Sequence, residues 1–361
     1  MRRLPGATLA LTVVALSMLA AVTFTACSSA EADRSPDPRP QSSNGEFDLQ
    51  AHRGGLGLVS ESTLESFTTA LELGVTTLEL DTQITEDGIA VVTHDRQVSS
   101  KKCLDTAPVV EQDPEFPYVG KYVNTLTLAQ IRSLDCGTLQ LADYPEQRTV
   151  PGARMPTLAD VLELAASAPG IKLNVETKVE AASPTETAPR EQFVDTVLGT
   201  IRAAGMLDRV TIQSFDWGAL QRVREVEPAL PTVALTNGDF LQIGQSGRSP
   251  WLGGLDIDDF DGDPIAAIRS FGASGFSPVQ GNPQSGKVSD PDFELYVTQK
   301  MIDDAHAAGI QVIPWTVDDP ETMNVLLDMG VDGIITDYPD RLRAVLSDRG
   351  MPLPAPVKVG G

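Results

Sequence analysis

Residues 78–95 read LELDTQITEDGIAVVTHD. Two apolar runs meet here, 76–84 and 89–93, with Glu86, Asp87 and Gly88 in the gap between them. A gap that short closes a hairpin and leaves no room for a helical crossover, so the two runs are read as antiparallel neighbours.

Elsewhere from residue 47 on, short apolar runs alternate with amphipathic windows, the pattern of a parallel α/β architecture. The strand candidates are 47–51, 76–84, 89–93, 171–176, 209–213, 232–235, 274–277, 310–315 and 333–336. These are one too many for a closed eight-stranded barrel, and the hairpin absorbs the surplus. The expected fold is therefore a TIM (β/α)8 barrel, with 76–81 in the wall and 89–93 returning above the rim to bring His94 down to the mouth. Windows such as STLESFTTALEL, LADVLELAA, EQFVDTVLGTIRAAG, WGALQRVREV, ELYVTQKMIDDAHAAG and PETMNVLLDMG carry helical spacing. Residues 96–156 lack that periodicity and are expected to form an insertion over the C-terminal mouth, with 237–270 as a second rim loop.

The chain starts differently. Arg2 and Arg3 precede an uncharged run over 7–24 that leads to Cys27, the layout of an export signal, too short to be preferred as a permanent span. The segment around Cys27 resembles a bacterial lipoprotein signal, although Phe24 stands where Leu is usual. Expected from this are export, lipidation of Cys27 and anchoring at the outer face of the cytoplasmic membrane, with membrane contact through that anchor only. Residues 28–46 are polar and rich in Ser and Pro, a tether rather than a fold; the barrel follows over 47–348 and a tail over 349–361. With Cys27 lipidated, Cys103 and Cys136 remain as a pair for an oxidising compartment, a bridge worth roughly 3 to 4 kcal/mol on the loop-entropy model. A net charge of −23 excludes nucleic acid as a partner, because phosphate backbones need clustered cations.

Barrel chemistry gathers at the C-terminal ends of the strands. There the sequence places His52 and Arg53 after the first strand, Glu79 and Asp81 two apart on one face of the second, and Glu176 with Lys178 on the fourth. Three carboxylates make an oxygen-rich site for one hard divalent cation, Ca²⁺ or Mg²⁺ rather than Zn²⁺. His52 and His94, flanking it, suit general acid and base; Arg53 and Lys178 suit a phosphate oxygen. His306 lies within a helical window and is read as a helix residue. The sum is metal-assisted cleavage of a phosphate ester. LDIDDFDGDP has the look of a calcium loop, but Ile257 and Ile268 fall where its first and closing ligands belong, so it is read as an acidic rim loop.

The blocks AHRGG, ESTLESF, LELDTQITEDGIAVVTHD, MPTLADVLELA, LNVETK, QSF, PWTV and GIITDYPD, in this order over about 48–341, closely resemble the glycerophosphodiester phosphodiesterase family. The resemblance implies a TIM barrel, a divalent cation (more often Ca²⁺ than Mg²⁺), and small glycerophosphodiester substrates cleaved to glycerol 3-phosphate and an alcohol, in many members through a cyclic phosphate. By motif it makes His52 and His94 the acid–base pair and Glu79, Asp81 and Glu176 the metal ligands. It gives Arg53 and Lys178 to the phosphate and Trp315 to the glycerol or alcohol side. One departure stands out: Ser60, Glu61, Ser62 and Thr63 replace the usual Pro-Glu-Asn-Thr. The alternative within this barrel class is a phospholipase D-like phosphodiesterase or lyase acting on intact lipids. Such an enzyme would need exposed apolar residues at the mouth, for which Phe116, Tyr118 and Tyr122 are the candidates.

Overall fold

The computed structural model describes residues 47–358; the export signal, Cys27 and the tether lie outside them. In chain order the strands are β1 (Asp48–Ala51), β2 (Thr77–Ile84), β3 (Ala90–Val92), β4 (Lys172–Thr177), β5 (Val210–Ser214), β6 (Thr232–Thr236), β7 (Gly275–Pro278), β8 (Gly281–Asn282), β9 (Glu294–Leu295), β10 (Gln311–Val312) and β11 (Gly333–Thr336). The helices are α1 (Leu64–Leu73), α2 (Leu128–Ser133), α3 (Leu158–Ala166), α4 (Arg190–Ala203), α5 (Trp217–Val226), α6 (Pro264–Ser270), α7 (Gln299–Ala307), α8 (Pro320–Met329) and α9 (Pro339–Asp348).

Eight strands run parallel in the order β10, β7, β6, β5, β4, β2, β1, β11. Across the seam, Asp332 N–H donates to the Val312 carbonyl (2.9 Å) and Ile335 N–H to the Pro314 carbonyl (3.0 Å), so the barrel is nearly closed. The surplus strand is β3, antiparallel to the end of β2 with Thr82 opposite Val92 and Ile84 opposite Ala90. Beyond it, Thr93 N–H donates to the Asp81 carbonyl (3.0 Å), which sets His94 level with the second acid of β2.

The period of two along β2 decides what faces where. Leu78 and Leu80 are fully buried under the helical layer, with Phe67, Leu158, Phe193, Trp217 and Leu342 in the same core. Each such side chain contributes roughly 1.5 to 3 kcal/mol of burial. Thr77, Glu79 and Asp81 take the other face, into the barrel. Helix starts follow their capping residues: Thr63 with Ser66 opens α1, and Thr157 with Asp160 opens α3.

Several expectations need correction. The rim loop over 237–270 ends earlier, because Asp263 caps α6 through Ile265 and Ala266 N–H and Pro264 starts it. The insertion is not featureless: it holds α2, opened by a Thr127 and Gln130 capping box, and a small core of Val98, Tyr118, Val123, Leu126, Ile131 and Leu134. Cys103 and Cys136 are disulfide-bonded beside that core. Tyr118 is therefore no mouth residue; it is buried, with its hydroxyl on Asp113 and Phe116 packed edge-on against it. Residues 349–358 pack back on the barrel, since Val357 N–H donates to the Leu71 carbonyl and Arg343 ties the carbonyls of Gly74 and Pro354. His306 in α7 bonds Asp332 at 2.9 Å, just ahead of β11. Among the described residues no helix is long and apolar enough to cross a membrane.

Candidate active site

β1 ends at Ala51, and the chain then makes one tight turn over His52, Arg53 and Gly54. Arg53 sits in the left-handed region (φ 51°), which costs a non-glycine residue about 1 kcal/mol or more. It is held there on both sides: its N–H donates to Glu79 Oε2 (3.0 Å), and its carbonyl accepts from Ser62 N–H (3.0 Å) and Ser66 Oγ (3.2 Å). Gly54 (φ 82°) is obligatory, because a Cβ there would stand 2.5 Å from Ser66 Oγ and 2.8 Å from the Ser66 carbonyl carbon.

This turn aims its side chains at the acids of β2 and β4. Glu79, Asp81 and Glu176 are all buried, and each offers an oxygen within 4.8 Å of the others. Arg53 Nε lies 3.0 Å from Asp81 Oδ2, while Lys178 Nζ stands 3.1 Å from Glu176 and 3.6 Å from Asp81. The Arg53–Asp81 contact is close but lacks hydrogen-bond alignment, so Asp81 Oδ2 remains a buried acceptor without a donor.

Burial and mutual repulsion push Glu79 up to about 7 and Glu176 up to about 8. Burial also opposes the charge on Asp81, but Arg53 and Lys178 outweigh it and hold that carboxyl far below the usual range. Three crowded carboxylates with two cations leave the site short of positive charge. An all-oxygen cluster with an orphaned acceptor fits one hard divalent cation.

The two histidines flank this cluster, each fixed at Nδ1. His52 Nδ1 meets Asp337 Oδ1 at 2.5 Å, and its Nε2 faces Glu79 Oε2 at 4.0 Å. Burial and Arg53 disfavour its charge, yet Asp337 and Glu79 raise it above the ordinary histidine value. His94 Nδ1 meets Asp95 Oδ1 at 2.8 Å. Burial, Arg53 and Lys178 bring it down to about 4. Trp315 donates Nε1–H to the Ser277 carbonyl (3.0 Å) and stands edge-on to Phe215 across the mouth. His52, Arg53, Glu79, Asp81, His94, Glu176, Lys178, Phe215, Trp315 and Asp337 all line one cavity of about 660 Å³.

Several supporting residues escaped the sequence reading. Asp337 follows β11 and also accepts from Tyr144 Oη of the insertion (2.6 Å); an acid at the end of an apolar strand was the same signal that marked Glu176. Gln213 of β5 donates to Glu79 Oε1 (2.7 Å), and below it the amides continue. Asn174 donates to Gln213 Oε1 (2.8 Å) and to Gln50 Oε1 (2.9 Å), and Gln50 donates to Asp48 (2.8 Å). A ladder of side chains thus runs from the barrel floor to a candidate metal ligand. Glu61 joins Arg53 (3.4 Å) to Lys102 (2.7 Å), and Lys102 also reaches Asp95 (2.9 Å).

The departing loop has its own logic. Ser60 supplies an N–H that proline lacks, donating to the Arg148 carbonyl (3.0 Å), and its Oγ donates to the Gly137 carbonyl (3.1 Å), so it binds the loop to the insertion. Ser62 is left-handed (φ 55°) with a buried hydroxyl that has no partner.

Comparison with known proteins agrees with this geometry. The model of the glycerophosphoryl diester phosphodiesterase family matches residues 52–341. A glycerophosphodiester phosphodiesterase of Caldanaerobacter subterraneus is 28% identical over 292 residues, 81% of this chain and 94% of its own. The crystal structure of a homologue from Silicibacter pomeroyi DSS-3 superposes with a TM-score of 0.70 at 30% identity, covering 86% of this chain and 96% of that one. An Oleispira antarctica phosphodiesterase, solved in complex with the product sn-glycerol-3-phosphate, shares the fold at a TM-score of 0.60 and 20% identity, covering 85% and 97%. Spanning four-fifths of the chain and containing all three candidate metal ligands and both imidazoles of the mouth, the match establishes that this chain belongs to the glycerophosphoryl diester phosphodiesterase family.

Proposed function

We propose that the protein hydrolyses glycerophosphodiesters to glycerol 3-phosphate and an alcohol, with Glu79, Asp81 and Glu176 holding one divalent cation and His52 and His94 as the acid–base pair. The observation that carries this reading is the meeting of three buried carboxylates, two cations and two anchored imidazoles at one barrel mouth. A cation bound by the carboxylates supplies Lewis acidity toward a phosphate oxygen. Flexible, all-carboxylate ligation favours Ca²⁺ over Mg²⁺, which demands stricter octahedral geometry.

Arg53 and Lys178 offset the charge that grows on the phosphate. Asp337 and Asp95 each occupy an Nδ1, which leaves Nε2 of His52 and of His94 for the reacting atoms. Cleavage takes one proton from the attacking oxygen and gives one to the departing alcohol, and the two imidazoles divide that work. Trp315 walls the glycerol or alcohol side. The product found with the Oleispira relative supports glycerol 3-phosphate as the expected product. Export and attachment through Cys27 belong to the same reading and rest on the first 27 residues; a fatty-acid label retained by wild type but lost in Cys27→Ala tests them.

The direct test assays the full chain for glycerol 3-phosphate release from glycerophosphocholine and glycerophosphoethanolamine with Ca²⁺, Mg²⁺ or EDTA. Release that needs the cation and is lost in His94→Ala supports the reading. A folded, cation-binding protein that releases none overturns it.

A further inference from the structure

A second cavity of about 570 Å³ opens from the first, sharing His94, Glu176, Lys178 and Phe215 with it. Its walls come from the two rim elaborations. One wall is the chain leaving β3, from Arg96 to Lys101, with Tyr122 of the insertion. The other is the loop after β6, where Phe240 and Trp251 stack face to face (4.2 Å between centroids, 5° between planes) and Phe215 meets Phe240 edge-on.

Charge decides what this space can hold. Three carboxylates line it, Asp95, Glu176 and Glu180, and three cations, Arg96, Lys101 and Lys178. Every one of the acids is already paired: Asp95 with Lys102, Glu176 with Lys178 and Glu180 with Arg96. The face of Phe215 is covered as well, by Lys178 at 5.5 Å. A cationic amino alcohol therefore finds no spare anion, and it meets Lys101, which has no acid partner among the described residues. An acyl chain fares no better, because Arg96, Gln97, Ser99, Ser100 and Lys101 make most of one wall polar.

What remains is an aromatic wall opposite neutral and paired polar groups and the cation Lys101, unpaired among the described residues. Gln83 spends its amide on the Lys178 carbonyl (3.5 Å), which leaves its Oε1 to accept; Asn237 spends its Oδ1 on Phe240 N–H (3.0 Å), which leaves its amide to donate. Taking the phosphodiesterase reading above as given, we infer that the alcohol part of the substrate sits in this second cavity, and that the cavity is built for an uncharged polyhydroxylated ring, a cyclitol or hexose. The ring's C–H face lies on Trp251, whose other face is backed by Phe240, and its hydroxyls meet Gln83, Asn237 and the Arg96–Glu180 pair.

The test compares kcat/KM of the Ca²⁺-loaded full chain on glycerophosphoinositol, glycerophosphoethanolamine and glycerophosphocholine. The expected result is a preference of about tenfold or more for the inositol diester, which Trp251→Ala cuts by about five- to tenfold, the scale of one aromatic contact. Free myo-inositol should also compete where free choline and ethanolamine do not, a readout that needs no variant. Equal or faster turnover of the amino-alcohol diesters overturns the inference and leaves the phosphodiesterase reading standing. Release from none of the three by folded, Ca²⁺-binding protein defeats that reading, and this inference with it.

Discussion

Replacing Glu176 by Gln is expected to stabilise the cation-free protein, although it removes a candidate ligand. Burial, opposed by Lys178 and reinforced by Asp81 and Glu79, raises Glu176 from 4.5 to about 8. A carboxyl whose folded value lies above its unfolded one takes up a proton on folding, so stability falls as pH rises from about 4.5 to about 8. At pH 7 the proton uptake costs about 3 kcal/mol, at 1.36 kcal/mol per unit. Glutamine has no such cost, and for a barrel of roughly 300 residues the release is worth about 5 °C in Tm. Cation at a hundredfold excess over Kd should stabilise wild type by about 2.7 kcal/mol, while the variant, short of one ligand, gains less. Differential scanning calorimetry at pH 7 should therefore show Glu176→Gln melting higher in EDTA, with the gap closing in Ca²⁺. A variant that melts at or below wild type in EDTA would refute the view that these carboxylates are crowded at a cost.

Asp337→Asn should lower kcat by about a hundred- to ten-thousandfold, because the amide no longer fixes the His52 tautomer; circular dichroism should show an unchanged fold, and a loss under threefold would count against the anchor. Cys103→Ser with Cys136→Ser opens a loop of 33 residues and should cost about 4 kcal/mol, seen as a Tm lower by about 6 °C; an unchanged melt would mean that the insertion's own core already holds it. Ser62→Gly removes a left-handed side chain and an orphaned hydroxyl, and should raise stability in urea by about 1 kcal/mol after the glycine entropy cost. A fall in the urea midpoint would show that the hydroxyl has a partner in solution.

The residues proposed to carry chemistry were legible because each lies on or just after a short apolar run: His52 after β1, Glu79 and Asp81 on β2, Glu176 on β4. Period two puts them on one face, and the impossibility of a crossover within three residues turned nine runs into eight strands and a hairpin. What stayed hidden was the holding of those residues. Asp337 lies 285 positions from His52, Gln213 134 from Glu79, and Tyr144 193 from Asp337, separations over which no local pattern carries a signal. The insertion was opaque for another reason: α2 spans six residues, under two turns and too few for a helical repeat to show, and Tyr118 turns inward into a core that it shares with Cys103 and its neighbours. At α6 the Asp263–Pro264 start signal was present, but a run of acids drew the reading toward a loop.

The amide ladder from Asp48 through Gln50, Asn174 and Gln213 to Glu79 bears on how this site can be inherited or borrowed. A barrel floor is ordinarily the part of such a fold that tolerates free exchange, since aliphatic side chains of equal bulk fill it as well. Here a swap of Asn174 for Leu would keep the branched shape and cut the chain of donors midway, leaving Gln213 to choose its own rotamer beneath Glu79. Grafting the mouth residues onto another eight-stranded scaffold would transfer the names of the groups and lose their aim. The heritable unit is a column through the barrel, and drift at its base is felt at the top.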